Sequence, residues 1–419
     1  MGWDTVSMSA KEARRLQLLG LVTEGQASLR EVSEKLGVSY RQAKRLKKRL
    51  LEEGPQGLIH GNRGRHPPNR MSSEAREKIL QLVRKKYAQF NDSHFTEMLR
   101  EQEKLVVSRE MVRRTLREAG IAPKRKRRSR RHHRRRPRKP QEGLMMLWDG
   151  SPHPWFGPER DPCCLMAAID DATSRVLALH FLPQECGVGY LKLLDQVVRR
   201  HGIPQSVYQD RHGALRRNDD WWSLEEQLAG RRDPTQVGAA IEALGIQPIY
   251  AYTAQAKGRV ERLFNTLQDR LIAELALKGI QTIPAANRFA NNGFIRRHNR
   301  RFAVPAEQSE SAYVPVPKQL DLRRVISFCY QATVGNDNAV RLGGLVIDIP
   351  AGPERRSYAR AKVEVRQLLD GSWRVYYRDR LIARHRRTNL RDPRRIKGQR
   401  KKSLKGVRQT LWIYMASKS

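Results

Sequence analysis

Three carboxylates in this chain occupy positions suited to metal-assisted phosphoryl chemistry. Asp149 ends the apolar run LMMLWD, Asp210 ends SVYQD, and Glu261 opens the helical pattern KGRVERLFNTLQDRL. Side chains at strand ends and helix starts project into the crevice of an open α/β sheet. In the helical pattern Val260, Leu263, Phe264, Leu267 and Leu271 form one apolar stripe, and Glu261, Asn265 and Gln268 share a different, polar face. Gathered without counter-charge, such acids repel, and at 4 Å with an effective dielectric of about 20 each pair costs around 4 kcal/mol. Divalent cations remove that penalty. Hard oxygen ligands select Mg²⁺ or Mn²⁺, and two ions about 3.5–4 Å apart activate a nucleophilic oxygen while stabilising the leaving oxygen of a phosphodiester. Spacing alone does not single out this triplet, because the chain holds 43 acids, and Asp170 and Asp171 in a nearby turn compete for the role.

The elements that must position these acids begin at Gly143. GLMMLWDG, CCLMAAIDDA and RVLALHFL are short apolar runs separated by turn signals, followed by a helical YLKLLDQVVRRHG, the strand SVYQD and, later, QPIYAYT. That order predicts an α/β domain with a mixed sheet over residues 143–303, interrupted by a long polar insertion between Asp210 and Gln247. Residues 320–390 alternate apolar and polar positions. SFCYQATV, AVRLGGLVIDI, KVEVRQLL, SWRVYYR and RLIARH predict five short strands of a small antiparallel β-barrel or sandwich, with Asp370 and Gly371 as a hairpin turn.

Upstream, the pattern is helical. Leu29, Val32 and Leu36 mark one short helix, Gly37 and Val38 a turn, and Ala43, Leu46 and Leu50 the next helix, with Ser28/Glu31 and Ser39/Gln42 as capping pairs. Tyr40, Arg41, Lys44 and Arg45 face outward from the second helix. This pattern, within residues 1–60, is that of a helix-turn-helix whose second helix enters the major groove, or of a helical hairpin with a solvated basic face. GNRGRHPPNR at 61–70 is a linker, and residues 71–123 give three more helices, a second helix-turn-helix in which Ser108 caps the last.

The chain of 419 residues carries 82 Lys+Arg against 43 Asp+Glu, a net charge of +39 that points to a polyanionic partner, double-stranded DNA foremost. Twelve cations fall within 124–139, part of a basic linker at 124–142, and nine within 391–408 of a basic tail at 391–419. At roughly 3.3 Å per residue the linker run could reach on the order of 50 Å, leaving the helical modules free to sit far from the α/β domain. No run of about 18 apolar residues predicts a membrane span. The four cysteines lack C-x-x-C spacing, which fits a reducing, cytoplasmic setting.

LWDGSPHPWFG, AAIDDATSRVLALHF, SVYQDRHGAL and AQAKGRVERLFNTLQDRL together resemble the catalytic core of integrase-type DDE transposases, in particular the ISNCY insertion-sequence family. The resemblance runs from the first helix-turn-helix to the barrel. It implies a multidomain chain: all-α helix-turn-helix modules, a central α/β ribonuclease H-like integrase core and the small β-barrel. It further implies that Asp149, Asp210 and Glu261 are catalytic and bind two Mg²⁺ (or Mn²⁺) ions, and that the protein binds the terminal inverted repeats of a bacterial element, cleaves 3′ ends and transfers strands. At least a dimer on nucleoid DNA is implied, since one site acts at each end. Lys257, Arg259 and Arg262 flank the glutamate and are candidates to hold the DNA end, or else a solvated basic helix start. The alternatives are a catalytically silent DNA-binding protein derived from a transposase and a structure-specific nuclease on the same fold.

Overall fold

Serine hydroxyls start the first three helices. In the computed structural model, which describes residues 6–63, 71–124, 136–217, 224–230, 232–250, 258–352 and 357–388, these are α1 (Ala10–Thr23), α2 (Leu29–Leu36) and α3 (Tyr40–Glu53). Ser9 and Ser28 make full capping boxes with Glu12 and Glu31, and Ser39 accepts the Gln42 N–H at 3.2 Å. Gly37 ends α2 at φ +63°, a left-handed cap that glycine adopts without steric cost. Leu19, Val32, Leu46 and Leu58 bury against one another, so the Tyr40, Arg41, Lys44, Arg45 face is left exposed. The chain divides into two compact units at Lys78.

The second unit contains α4 (Ser73–Lys85) past that point, α5 (Asp92–Glu101) and α6 (Arg109–Glu118). Asn91 and Ser108 cap the latter two by accepting the His94 N–H at 2.8 Å and the Met111 N–H at 3.2 Å. The α/β region comes next: β1 (Met146–His153), β2 (Cys163–Asp170), β3 (Val176–Leu182), α7 (Gly187–His201), β4 (Ser206–Gln209), α8 (Leu224–Ala229), α9 (Gln236–Ala243), β5 (Gln247–Tyr250), α10 (Gly258–Leu277), α11 (Ile283–Phe289) and α12 (Ile295–Phe302). The sheet order is β3-β2-β1-β4-β5, with β1, β2 and β3 antiparallel and β4 and β5 parallel to β1.

Strand alternation sorts the core onto two faces. Met146, Trp148 and Met166 pack with Tyr190 and Leu194 of α7 and Val237 and Ile241 of α9. On the other face Leu147, Leu165 and Ile169 pack with the Val260, Leu263, Leu267 and Leu271 stripe of α10.

Within the second unit α5 sits against the α/β region, although the linker is long enough to allow a wide separation. It docks on α10. Glu97 of α5 takes both guanidinium nitrogens of Arg270 at 2.6 and 2.8 Å and Arg301 of α12 at 2.5 Å, while Asn91 donates to Asp269. Linker length sets only an upper bound on separation, and paired charges on the two surfaces decide the rest.

The C-terminal strands are β6 (Phe328–Thr333), β7 (Ala339–Leu342), β8 (Leu345–Asp348), β9 (Lys362–Gln367), β10 (Trp373–Tyr377) and β11 (Arg380–His385). They form a four-stranded sheet, β11-β10-β9-β6, and a separate β7-β8 pair, over one core that includes Tyr330, Val340, Ile347, Val365 and Trp373. This corrects the expected barrel: among the described residues no ladder joins the two sheets. Period-two alternation reports one buried face and carries no information about whether edges pair. AVRLGGLVIDI is likewise two strands, turned at Gly343 and Gly344 with φ of +55° and +91°. The basic tail at 391–419 and residues 125–135 of the basic linker lie outside the described residues.

Candidate active site

Asp149 and Asp210 are brought side by side by strand register. Met146 pairs with Val207 and Leu147 with Tyr208 in the parallel β1–β4 ladder, so two residues further on Asp149, inside β1, lies beside Asp210, just past the carboxyl end of β4. β1 does not stop at Asp149, as its apolar run had suggested, but pairs with β2 as far as His153. Leu147 and Tyr208 belong to the α10 face, and strand alternation carries Asp149 and Asp210 to that same side. Both are half-buried. Asp149 Oδ1 accepts its neighbour Gly150 N–H at 3.1 Å, and Asp210 Oδ1 accepts the His212 N–H at 3.0 Å.

A third carboxylate stands here that motif and spacing did not reveal. Glu185, in the loop between β3 and α7, accepts the Tyr190 hydroxyl at 2.5 Å and lies 3.9 Å from His212 Nδ1. Burial, then the charge and hydrogen bond of Glu185, then Asp149 and Asp210, hold the Tyr190 phenol protonated well above its ordinary range. Glu185 also crowds β1: a Cβ added at Gly150 would lie 2.4 Å from its Oε2. The one sequence signal was Gly150 itself, immediately after the first aspartate.

Glu261 sits in the first turn of α10, exposed, on the polar face with Asn265 and Gln268, and the predicted apolar stripe is buried beneath it. Gln268 Nε2 reaches Ser151 Oγ of β1 at 3.4 Å, so this face overlies the strand that carries Asp149. Glu261 is not drawn in to the aspartates: among the described residues no three of His, Cys, Asp and Glu form a group able to hold a metal ion. Oxygen-only donors at Asp149 and Asp210 are of the type that suits a hard divalent cation, and Glu261 stands apart from them.

The competing pair has another use. Asp170 is buried, and its oxygens accept the Thr173 N–H and Oγ1–H and the Gly143 N–H at 2.7–2.9 Å. Asp171 is buried too, and pairs with Arg136 and Arg259.

The cations expected to hold DNA divide. Arg259 is turned inward onto Asp171 with its side chain 14% exposed, so it is not presented to a phosphate. Its position beside Glu261 gave no hint of a buried partner 88 residues away. Arg262 is exposed and lines a groove of about 970 Å³ between α5, α6 and α10 with Arg109, Arg113 and Lys124. Lys257 lies outside the described residues. In the first unit Tyr40, Arg41, Lys44 and Arg45 are exposed on the first turns of α3, with the Lys44 ammonium 5.3 Å from the Tyr40 ring centroid.

Comparison with known proteins adds to this geometry. Residues 14–66 match the helix-turn-helix domain family. A Sinorhizobium fredii protein named as transposase y4bF is 35% identical over 331 residues, covering 79% of this chain and 71% of its own. The transposase for insertion sequence IS1202 of Streptococcus pneumoniae is 29% identical over 348 residues, covering 74% and 72%. Among solved structures, a chain of the simian T-cell lymphotropic virus intasome in complex with PP2A regulatory subunit B56 gamma aligns with 75% of this chain and 100% of its own, at 13% identity and a TM-score of 0.30. No helix among the described residues is long and apolar enough to cross a membrane.

Proposed function

Because this chain belongs to the transposases, we propose that it binds the terminal inverted repeats of an insertion sequence of the ISNCY group, cleaves their 3′ ends and transfers those ends into target DNA. One observation carries the catalytic part: Asp149, inside β1, and Asp210, just past the end of the parallel neighbour β4, stand together on the face covered by the helix that Glu261 heads. The β3-β2-β1-β4-β5 order supports a ribonuclease H-like integrase core.

In this reading Asp149, Asp210 and Glu261 would hold two Mg²⁺ or Mn²⁺ ions, which when bound supply Lewis acidity for the attacking and leaving oxygens of the phosphodiester. Tyr190, kept protonated, donates to Glu185 and adds no negative charge beside the aspartates. Tyr40, Arg41, Lys44 and Arg45 meet the major groove of the repeat, and Arg262, with Lys257, meets phosphates near the cut. Two or more copies act together, one site per element end, on the bacterial nucleoid.

The distance of Glu261 from the aspartates favours a second reading, a DNA-binding protein without catalysis. Purified chain with end-bearing duplex separates the readings when Mg²⁺ is omitted and restored. The first predicts Mg²⁺-dependent cleavage and joining that Asp149→Asn abolishes while DNA affinity stays within about twofold. Equal activity in that variant overturns it, and cut ends that are never joined identify a nuclease.

A further inference from the structure

We propose that Asp171 is a positioning residue for Glu261, clamping the head of α10 to the end of the basic linker. Its side chain is fully buried, in the turn after β2, yet it is surrounded by cations. Oδ1 accepts guanidinium groups from both Arg136 and Arg259; Oδ2 accepts the Lys139 N–H at 2.8 Å and Arg136 Nη1 at 3.3 Å. Arg259 Nη2 also donates to the Arg136 carbonyl at 2.7 Å, so the two arginines are tied to each other as well as to the acid. Arg138 extends the seam, donating to the Asp171 and Ala172 carbonyls at 3.1 and 3.0 Å and to Ser174 Oγ at 2.8 Å.

The seam touches two of the elements that carry a candidate catalytic acid or lead to one, α10 and β4. Arg259 lies two residues before Glu261, so fixing it sets the rotation of the first turn of α10, where Glu261 itself is exposed. The Arg136 guanidinium lies 5.7 Å from the ring centroid of Tyr208, two residues before Asp210 on β4. Burying an Asp with two guanidinium groups gains little over an apolar packing, but leaving the carboxylate with no cationic partner is strongly destabilising, so such a cluster holds geometry more than it adds stability. Arg136 directly follows the eight cations of 125–135. A pull on the linker therefore reaches Glu261 through Asp171, and a linker held on phosphates reports to the catalytic helix.

The clamp stands on geometry alone; its importance for catalysis rests on the transposase reading. Both are tested with the full-length chain and the variants Asp171→Asn, Arg136→Gln, Arg259→Gln and Arg259→Lys. Amides of residues 262–266 bond back to the first turn of α10, and their hydrogen exchange needs no activity. Arg136→Gln, in which Asp171 keeps one arginine and the fold is spared, is predicted to speed that exchange at least threefold, with β1 and β3 amides unchanged. In end cleavage, Arg136→Gln and Arg259→Gln are predicted to lower kcat tenfold or more with the Kd for end DNA within twofold, and Arg259→Lys, which keeps the charge, to recover part of the rate. Unaltered exchange in Arg136→Gln and Asp171→Asn overturns the clamp. Faster exchange with an unaltered kcat overturns the positioning role. A wild-type chain that never cleaves defeats the catalytic reading, and the exchange result still decides the clamp.

Discussion

Gly150 follows Asp149 because the Glu185 carboxylate occupies the space a side chain would need. A Cβ there would meet Glu185 Oε2 at 2.4 Å and Cys164 Sγ at 3.1 Å. Gly150→Ala should therefore push Glu185 off the Tyr190 hydroxyl and cost about 1–3 kcal/mol in urea denaturation. The cost should shrink when Glu185→Ala is present in the same chain; an equal cost in both backgrounds would show that Glu185 is not the obstacle. Asp149 and Asp210 were legible beforehand because each closes an apolar run, a local signal. Glu185 was not, since its contact with β1 spans a loop and a sheet. Arg259 illustrates the converse: a cation beside a candidate acid reads the same in sequence whether it faces a phosphate or a buried aspartate.

Helix starts were the most legible elements, since Ser28, Ser39 and Ser108 each accept an amide three residues on. The docking of α5 on α10 was not legible, because Glu97 and Arg270 are 173 residues apart and periodicity records only which face is apolar. Glu97 is 9% exposed and Arg270 12%, so Glu97→Ala leaves a buried guanidinium unpaired and should cost about 3–5 kcal/mol. A loss under about 1 kcal/mol in urea denaturation would mean the helices are held by apolar contact instead. On the same surface His298 is buried, facing Arg270 and Glu274, and burial first, then Arg270, lowers its pKa from 6.5 to about 4. The unfolded chain thus takes up this proton before the folded one does. Stability from this group is complete above pH 6.5 and falls as pH drops toward 4, by up to roughly 3 kcal/mol. His298→Phe should flatten that part of the pH profile; an unchanged profile would place the acid sensitivity elsewhere.

The charge of +39 was legible as a total, and the structure sorts part of it. Arg136, Arg138 and Arg259 are committed to Asp171 and the carbonyls beside it, while Arg41, Lys44, Arg45 and Arg262 remain exposed. Each neutralised phosphate contact contributes about 0.9 to the salt slope of binding, so neutralising the eight cations of 125–135 should lower the slope by up to about 7, alike on any duplex. Neutralising Arg136 and Arg138 should lower it by less than about 1. A loss of sequence preference in the first case would mean the linker reads bases. The barrel was overread for a related reason, since alternation along a strand cannot report how a whole sheet closes. Once DNA is held, Asp149, Asp210 and Glu261 are proposed to converge on divalent cations. Anomalous diffraction from Mn²⁺ in crystals of the chain with end-bearing duplex tests this most directly. Manganese is predicted between the Asp149 and Asp210 carboxylates, with Glu261 drawn into its coordination; well-ordered end DNA with no manganese at those aspartates would contradict it.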